Sequence, residues 1–70
     1  MIFMKKMQFG DRVTIQKDEW IPKEYHKKHG IVTEIRSQKI DHSVVTIANI
    51  SFKLLKSKWI SIEKLIKGWK

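Results

Sequence analysis

Apolar and polar residues alternate along Arg12-Val13-Thr14-Ile15-Gln16, the period of a strand with one buried and one wet face. Gly10-Asp11 just ahead of it is a turn entry. The pattern returns after His29-Gly30, where Ile31, Val32 and Ile35 are the apolar members. Val32 and Ile35 stand three apart, so strict alternation breaks and a bulge is expected between them. Ser37 to Ser43 is polar, and its Asp41-His42-Ser43 reads as a hairpin loop. A third strand is predicted over Val44 to Ile50. Between the first two strands, Lys17 to Lys28 is mostly polar and contains Pro22. It reads as a long loop, with Trp20, Ile21 and Tyr25 as anchors against the core.

The last twenty residues carry two patterns at once. As β structure, Phe52-Lys53-Leu54 and Trp59-Ile60-Ser61-Ile62 are short strands, and Ile62-Glu63-Lys64-Leu65 is a final turn. As helix, Phe52, Leu55, Trp59, Ile62, Leu65, Ile66 and Trp69 form one stripe close to a 3.6-residue period, with lysines largely opposite. Ser57, Ser61 and Gly68 are modest helix formers, and three strands upstream need more sheet beside them. The expected fold is therefore all-β, a small barrel of about five strands, with a short C-terminal helix as the alternative ending.

Length allows one domain: the chain has 70 residues, with no internal repeat and no low-complexity segment. The divisions drawn are an N-terminal arm over 1–8, the barrel over 9–66 and a tail over 67–70. The arm, Met1-Ile2-Phe3-Met4-Lys5-Lys6-Met7, is apolar and then basic, the reverse of a signal peptide. No run approaches the roughly 20 apolar residues of a membrane span. Cysteine is absent, which excludes disulfides and Cys-based zinc sites and favours a reducing, cytoplasmic setting. Oligomeric state is left open.

The net charge is +8, and it is uneven: residues 1–35 carry a net of +2 and residues 36–70 a net of +6. Only Arg12 and Arg36 are arginines; the other basic residues are lysines. Lysine supplies a diffuse positive field, whereas arginine supplies the fork that reads guanine edges or carboxylates. The balance points to phosphate contacts without base-specific readout.

Two glycine-led segments, Gly10-Asp11-Arg12-Val13-Thr14-Ile15 and His29-Gly30-Ile31-Val32-Thr33-Glu34-Ile35, together with Val45-Thr46-Ile47, resemble KOW-type, SH3-like small barrels. The ending Lys58-Trp59-Ile60-Ser61-Ile62-Glu63-Lys64-Leu65 is similar to the closing strand of such barrels, which leads into a Glu-x-Leu turn. The stretch from Ile21 to Val32 resembles a loop of a KOW-containing large-subunit ribosomal protein of archaea and eukaryotes, a longer chain. The resemblance spans about residues 9–65. It implies a barrel, and a partner that is RNA or a protein of transcription or translation.

Catalytic signals are missing. No Gly-x-Ser-x-Gly elbow occurs, Gly10, Gly30 and Gly68 are too far apart for a phosphate-cradling loop, and Asp18-Glu19 reads as a solvated pair. His26 and His29 with Glu24 lack a third ligand at metal spacing, and His42 sits in a polar loop. The chain is read as a non-enzyme without metal or cofactor. Basic residues interleaved with aromatics are the functional signal. Lys17, Trp20, Lys23, Tyr25, Lys27 and Lys28 lie in the first loop, and Lys53, Lys56, Lys58, Trp59 and Lys64 in the closing segment. In a barrel the two clusters are expected to converge. Lys27, Lys28, Lys53, Lys56 and Lys58 are the candidate phosphate contacts, and Trp20 or Tyr25 the base-stacking group. Trp59, between apolar neighbours, is expected in the core.

Nucleic acid, with RNA favoured over DNA, is the leading partner. The alternatives are an acidic protein surface docked by the barrel, and a membrane surface or groove bound by residues 52–70 as a basic amphipathic helix.

Overall fold

The computed structural model describes residues 7–69. Five antiparallel strands form one sheet: β1 Arg12–Ile15, β2 His29–Ile40, β3 Ser43–Ser51, β4 Lys58–Ser61 and β5 Leu65–Lys67. Their order is β4-β3-β2-β1-β5. The edge strands β4 and β5 are consecutive in the chain, joined by a single 3₁₀ turn over Ile62–Lys64. They share no ladder, so the sheet is open. The other helical turn is 3₁₀ as well, at Lys23–Tyr25 in the first loop. Among the described residues there is no α-helix, and no helix long and apolar enough to cross a membrane. Residues 1–6, most of the predicted arm, and residue 70 lie outside the described residues; Met7 packs on the core.

Alternation builds the core as predicted. Val13 and Ile15 of β1, Val32 of β2, Ala48 and Ile50 of β3, Ile60 of β4 and Leu65 of β5 are buried together. Ile21, Tyr25 and Phe52 complete the cluster from the loops. The break between Val32 and Ile35 is a bulge. Val32 pairs with Ile50 and Glu34 with Asn49, which leaves Thr33 as the extra residue, its hydroxyl donating to the Asn49 carbonyl at 3.1 Å. One inserted residue shifts the phase, so Val32 and Ile35 face the same side despite their spacing.

Gly30 is needed for close packing. A Cβ there would lie 2.3 Å from the Ile50 Cγ2 atom and 3.1 Å from the Phe52 ring. That space lets Phe52 fold under β2 and seat against Tyr25.

The hairpin loop expected at Asp41-His42-Ser43 forms as a two-residue turn at Asp41-His42, and the polar residues ahead of it are strand, with β2 continuing to Ile40. Because β1 pairs with β2 only at His29–Ile31, and β4 with β3 only at Ile47–Ile50, the rest of this hairpin projects as a two-stranded ribbon. Phe52-Lys53-Leu54 is a bend outside the sheet. The helical stripe does not form a helix. Its buried members, Phe52 and Leu65, meet the core from a loop and a strand, and Trp59 and Trp69 are exposed. Trp59 is not a core residue. It pairs with Asn49, placing it on the outer face, and the Arg36 guanidinium lies 5.2 Å from its ring centre.

Candidate nucleic-acid interface

The first loop is tied down at Asp18. One carboxylate oxygen accepts the Trp20 N–H at 2.8 Å, and the other meets Lys64 Nζ at 2.7 Å. The His26 Nε2 lies 2.8 Å from the Asp18 carbonyl and 2.7 Å from the Ile21 carbonyl. Both partners are acceptors, so this nitrogen carries the proton and donates. The Lys64 hydrogen bond, then the Trp20 N–H, holds the Asp18 carboxyl below its ordinary value; the same contact raises Lys64. The loop is thereby pinned to the turn between β4 and β5.

Tyr25 pins its other end. Its ring packs on Phe52 at 5.1 Å, and its hydroxyl donates to the Lys56 carbonyl at 3.0 Å. This draws the 52–58 segment against the first loop, so the two basic clusters meet in part, at Tyr25 and Lys28. Lys28, His29 and Lys53 line a groove of about 290 Å³ together with Phe52, Leu54 and Leu55. Lys58 Nζ lies 5.5 Å from the Tyr25 ring centre, at the margin of the same cluster. Lys56 is exposed beside it.

Two predicted residues are placed differently. Tyr25 is only 7% exposed, with its hydroxyl occupied, so it cannot stack on a base; it is the anchor that assembles the lysines. Lys27, at φ 59°, is not in that lining and borders a second groove with Thr14, Ile15, Gln16, Lys17 and Ile66. Trp20 is 84% exposed and offers its ring to solvent. No contact draws it into the lysine cluster.

Some of the basic residues are neutralised by ion pairs. Asp11 meets Lys67 at 3.6 Å, Asp18 meets Lys64, and Glu34 meets Arg36 at 3.2 Å. Among the described residues, none of Lys27, Lys28, Lys53, Lys56 and Lys58 has a carboxylate within ion-pair distance. Their charge is uncompensated where the groove opens.

One arrangement at the rim is not apparent from spacing. His29 stacks on Trp69 with centroids 5.5 Å apart and planes 2° from parallel, and the Arg12 guanidinium lies 4.9 Å from the Trp69 ring centre. The Trp69 indole N–H donates to the Gly30 carbonyl at 3.2 Å. Trp69 thus straps β1 to β2 and orients His29 at the groove. The helical stripe assigns it to the wrong partner set; only the β1–β5 pairing brings residue 69 to residue 29.

Comparison with protein-family models, with curated proteins and with solved structures finds no match to this chain.

Proposed function

We propose that this chain is a small SH3-like, KOW-like barrel and a non-enzymatic module that binds nucleic acid, RNA in the first instance, through phosphate contacts. The observation carrying this reading is the assembly of Lys28, Lys53, Lys56 and Lys58 around Tyr25 and Phe52, with no carboxylate among the described residues within ion-pair distance of them. Cations gathered without counter-charge repel one another, and a polyanion relieves that repulsion while releasing its own counterions. The barrel reading is supported by the strand order: the two edges are neighbours in sequence, a three-residue turn apart, which draws the ends of the sheet toward each other.

The test is a titration of labelled RNA and DNA oligonucleotides at several salt concentrations. Log affinity should fall linearly with log salt, by about 0.7 per phosphate contact on a single strand. Lys28→Ala, Lys53→Ala, Lys56→Ala and Lys58→Ala should each weaken binding modestly and take about one contact from the slope. Binding that ignores salt, or no binding at low salt, refutes the reading.

A second reading has its own support. The projecting ribbon carries exposed Ile40 and Val44 and leaves backbone along both edges unpaired by other strands, which suits docking to a protein. With this net charge the partner surface would be acidic. A protein that stays bound after nuclease treatment, and is lost on mutating Val44, distinguishes it.

A further inference from the structure

The groove rimmed by Lys28 and Lys53 is not lined for phosphate alone. Phe52, Leu54 and Leu55 line it beside the lysines, and Leu54 is 91% exposed. A leucine that exposed, sharing a groove with two lysines that have no carboxylate partner among the described residues, is a poor arrangement for a surface meant only for water. It suits a ligand with an apolar face and an anionic edge. A nucleotide has that form: the base presents a flat apolar surface and the phosphate a charge. A groove of about 290 Å³ accepts a single base and not a helix. In a duplex the base faces are stacked inward, and the apolar lining finds nothing to cover it.

We infer that this groove takes one unpaired nucleotide, its base on Leu54 and Leu55 and its phosphate on Lys28 and Lys53, so that the protein selects single strands over duplexes. The inference rests on the nucleic-acid reading above. It adds a base contact, without sequence preference, to what phosphate attraction supplies. His29, held against Trp69, is part of the lining beside Lys28.

The experiment compares four ligands of equal length: an oligouridylate, an oligothymidylate, a strand with the same phosphates but abasic sites throughout, and a blunt duplex. Affinities are measured at one low salt concentration for the wild type and for Leu54→Ser. Leu54 is exposed, so the variant should fold, which a melting curve verifies. The abasic strand should bind roughly tenfold more weakly than either intact strand. Leu54→Ser should bring the intact strands close to the abasic level and leave abasic and duplex affinities unchanged. Equal binding of intact and abasic strands, a duplex bound as tightly as the single strands, or an equal loss on all four ligands in Leu54→Ser would overturn the inference. Those results leave phosphate binding standing. Failure to bind any of the four removes both readings together.

Discussion

Asp18 shows how one side chain in a polar loop can organise distant parts of the chain. Its carboxyl is held below the ordinary 3.8 by the Lys64 hydrogen bond and the Trp20 N–H, and Lys64 is held above 10.5 by Asp18. A lowered carboxyl contributes stability above its unfolded value and loses it as pH falls through the folded one. A raised amine contributes below its unfolded value and loses it as pH rises through the folded one. Asp18→Asn keeps an oxygen for Trp20 but loses the charge. Urea midpoints across pH should show the variant weaker than wild type between those limits, with the gap closing in acid and again in strong base. A gap that is constant with pH would mean the ion pair does not contribute. In the sequence, Asp18 is merely one of two adjacent acids in a polar stretch, and nothing near it names Lys64. Tyr25 was readable as an anchor, because an aromatic in a long loop needs a place to go. Its role as a stacking group was not separable from that role by sequence, since a buried and an exposed tyrosine leave the same letter. Trp59 illustrates the same limit: apolar neighbours suggest burial, but the alternation of β4 buries Ile60 and turns Trp59 outward.

Elements were legible where local pattern and sheet agree. β1 and the core of β3 follow from alternation, and the bulge in β2 follows from the Val32–Ile35 spacing. The ribbon was less legible because Ser37 to Ser43 has a single apolar residue, Ile40, and so shows no alternation. Its strand form comes from pairing: Ser37 faces Thr46, with the two hydroxyls 3.2 Å apart, and Lys39 faces Val44. The two-residue turn closing it is costly. Asp41 at φ 46° and His42 at φ 66° both occupy the left-handed region without being glycine. Two successive positive φ values are the type I′ pattern, for which Asn-Gly is preferred. Replacing Asp41-His42 by Asn-Gly should raise unfolding free energy by about 1 kcal/mol, measured by chemical denaturation. No gain would mean the turn bears no such strain. The apparent helix over 52–69 fails for a related reason. A loop, a strand, a 3₁₀ turn and another strand in succession give apolar spacings of three and four without any helical period.

At the scale of the whole molecule, the all-β class was readable from strand punctuation, and the net positive charge from composition. The arrangement of that charge was not. Asp11, Asp18 and Glu34 each pair with a basic residue outside the groove lining, and only the tertiary structure makes Lys28 and Lys53 neighbours with no carboxylate among the described residues within ion-pair distance. The sheet also depends on its final residues. The Gly68 N–H donates to the Arg12 carbonyl at 2.7 Å, the Thr14 hydroxyl donates to the Gly68 carbonyl at 2.7 Å, and Trp69 covers His29. A chain ending at Lys67 loses all three and leaves the buried Thr14 hydroxyl without that acceptor. Its unfolding free energy should drop by about 2–3 kcal/mol in urea titration, with nucleic-acid binding weakened as His29 is released. An unchanged midpoint would show that the strap is dispensable.

The pairing of Val13 with Lys67 has a consequence for synthesis. β2, β3 and β4 can assemble as they leave the ribosome, but β1 has only one neighbour until the last strand is made. At roughly 5–20 residues per second, the first strand waits a few seconds with one edge and part of its apolar face exposed. Any nascent-chain partner that protects this sheet would therefore be needed at β1, for an interval set by how quickly β5 is translated.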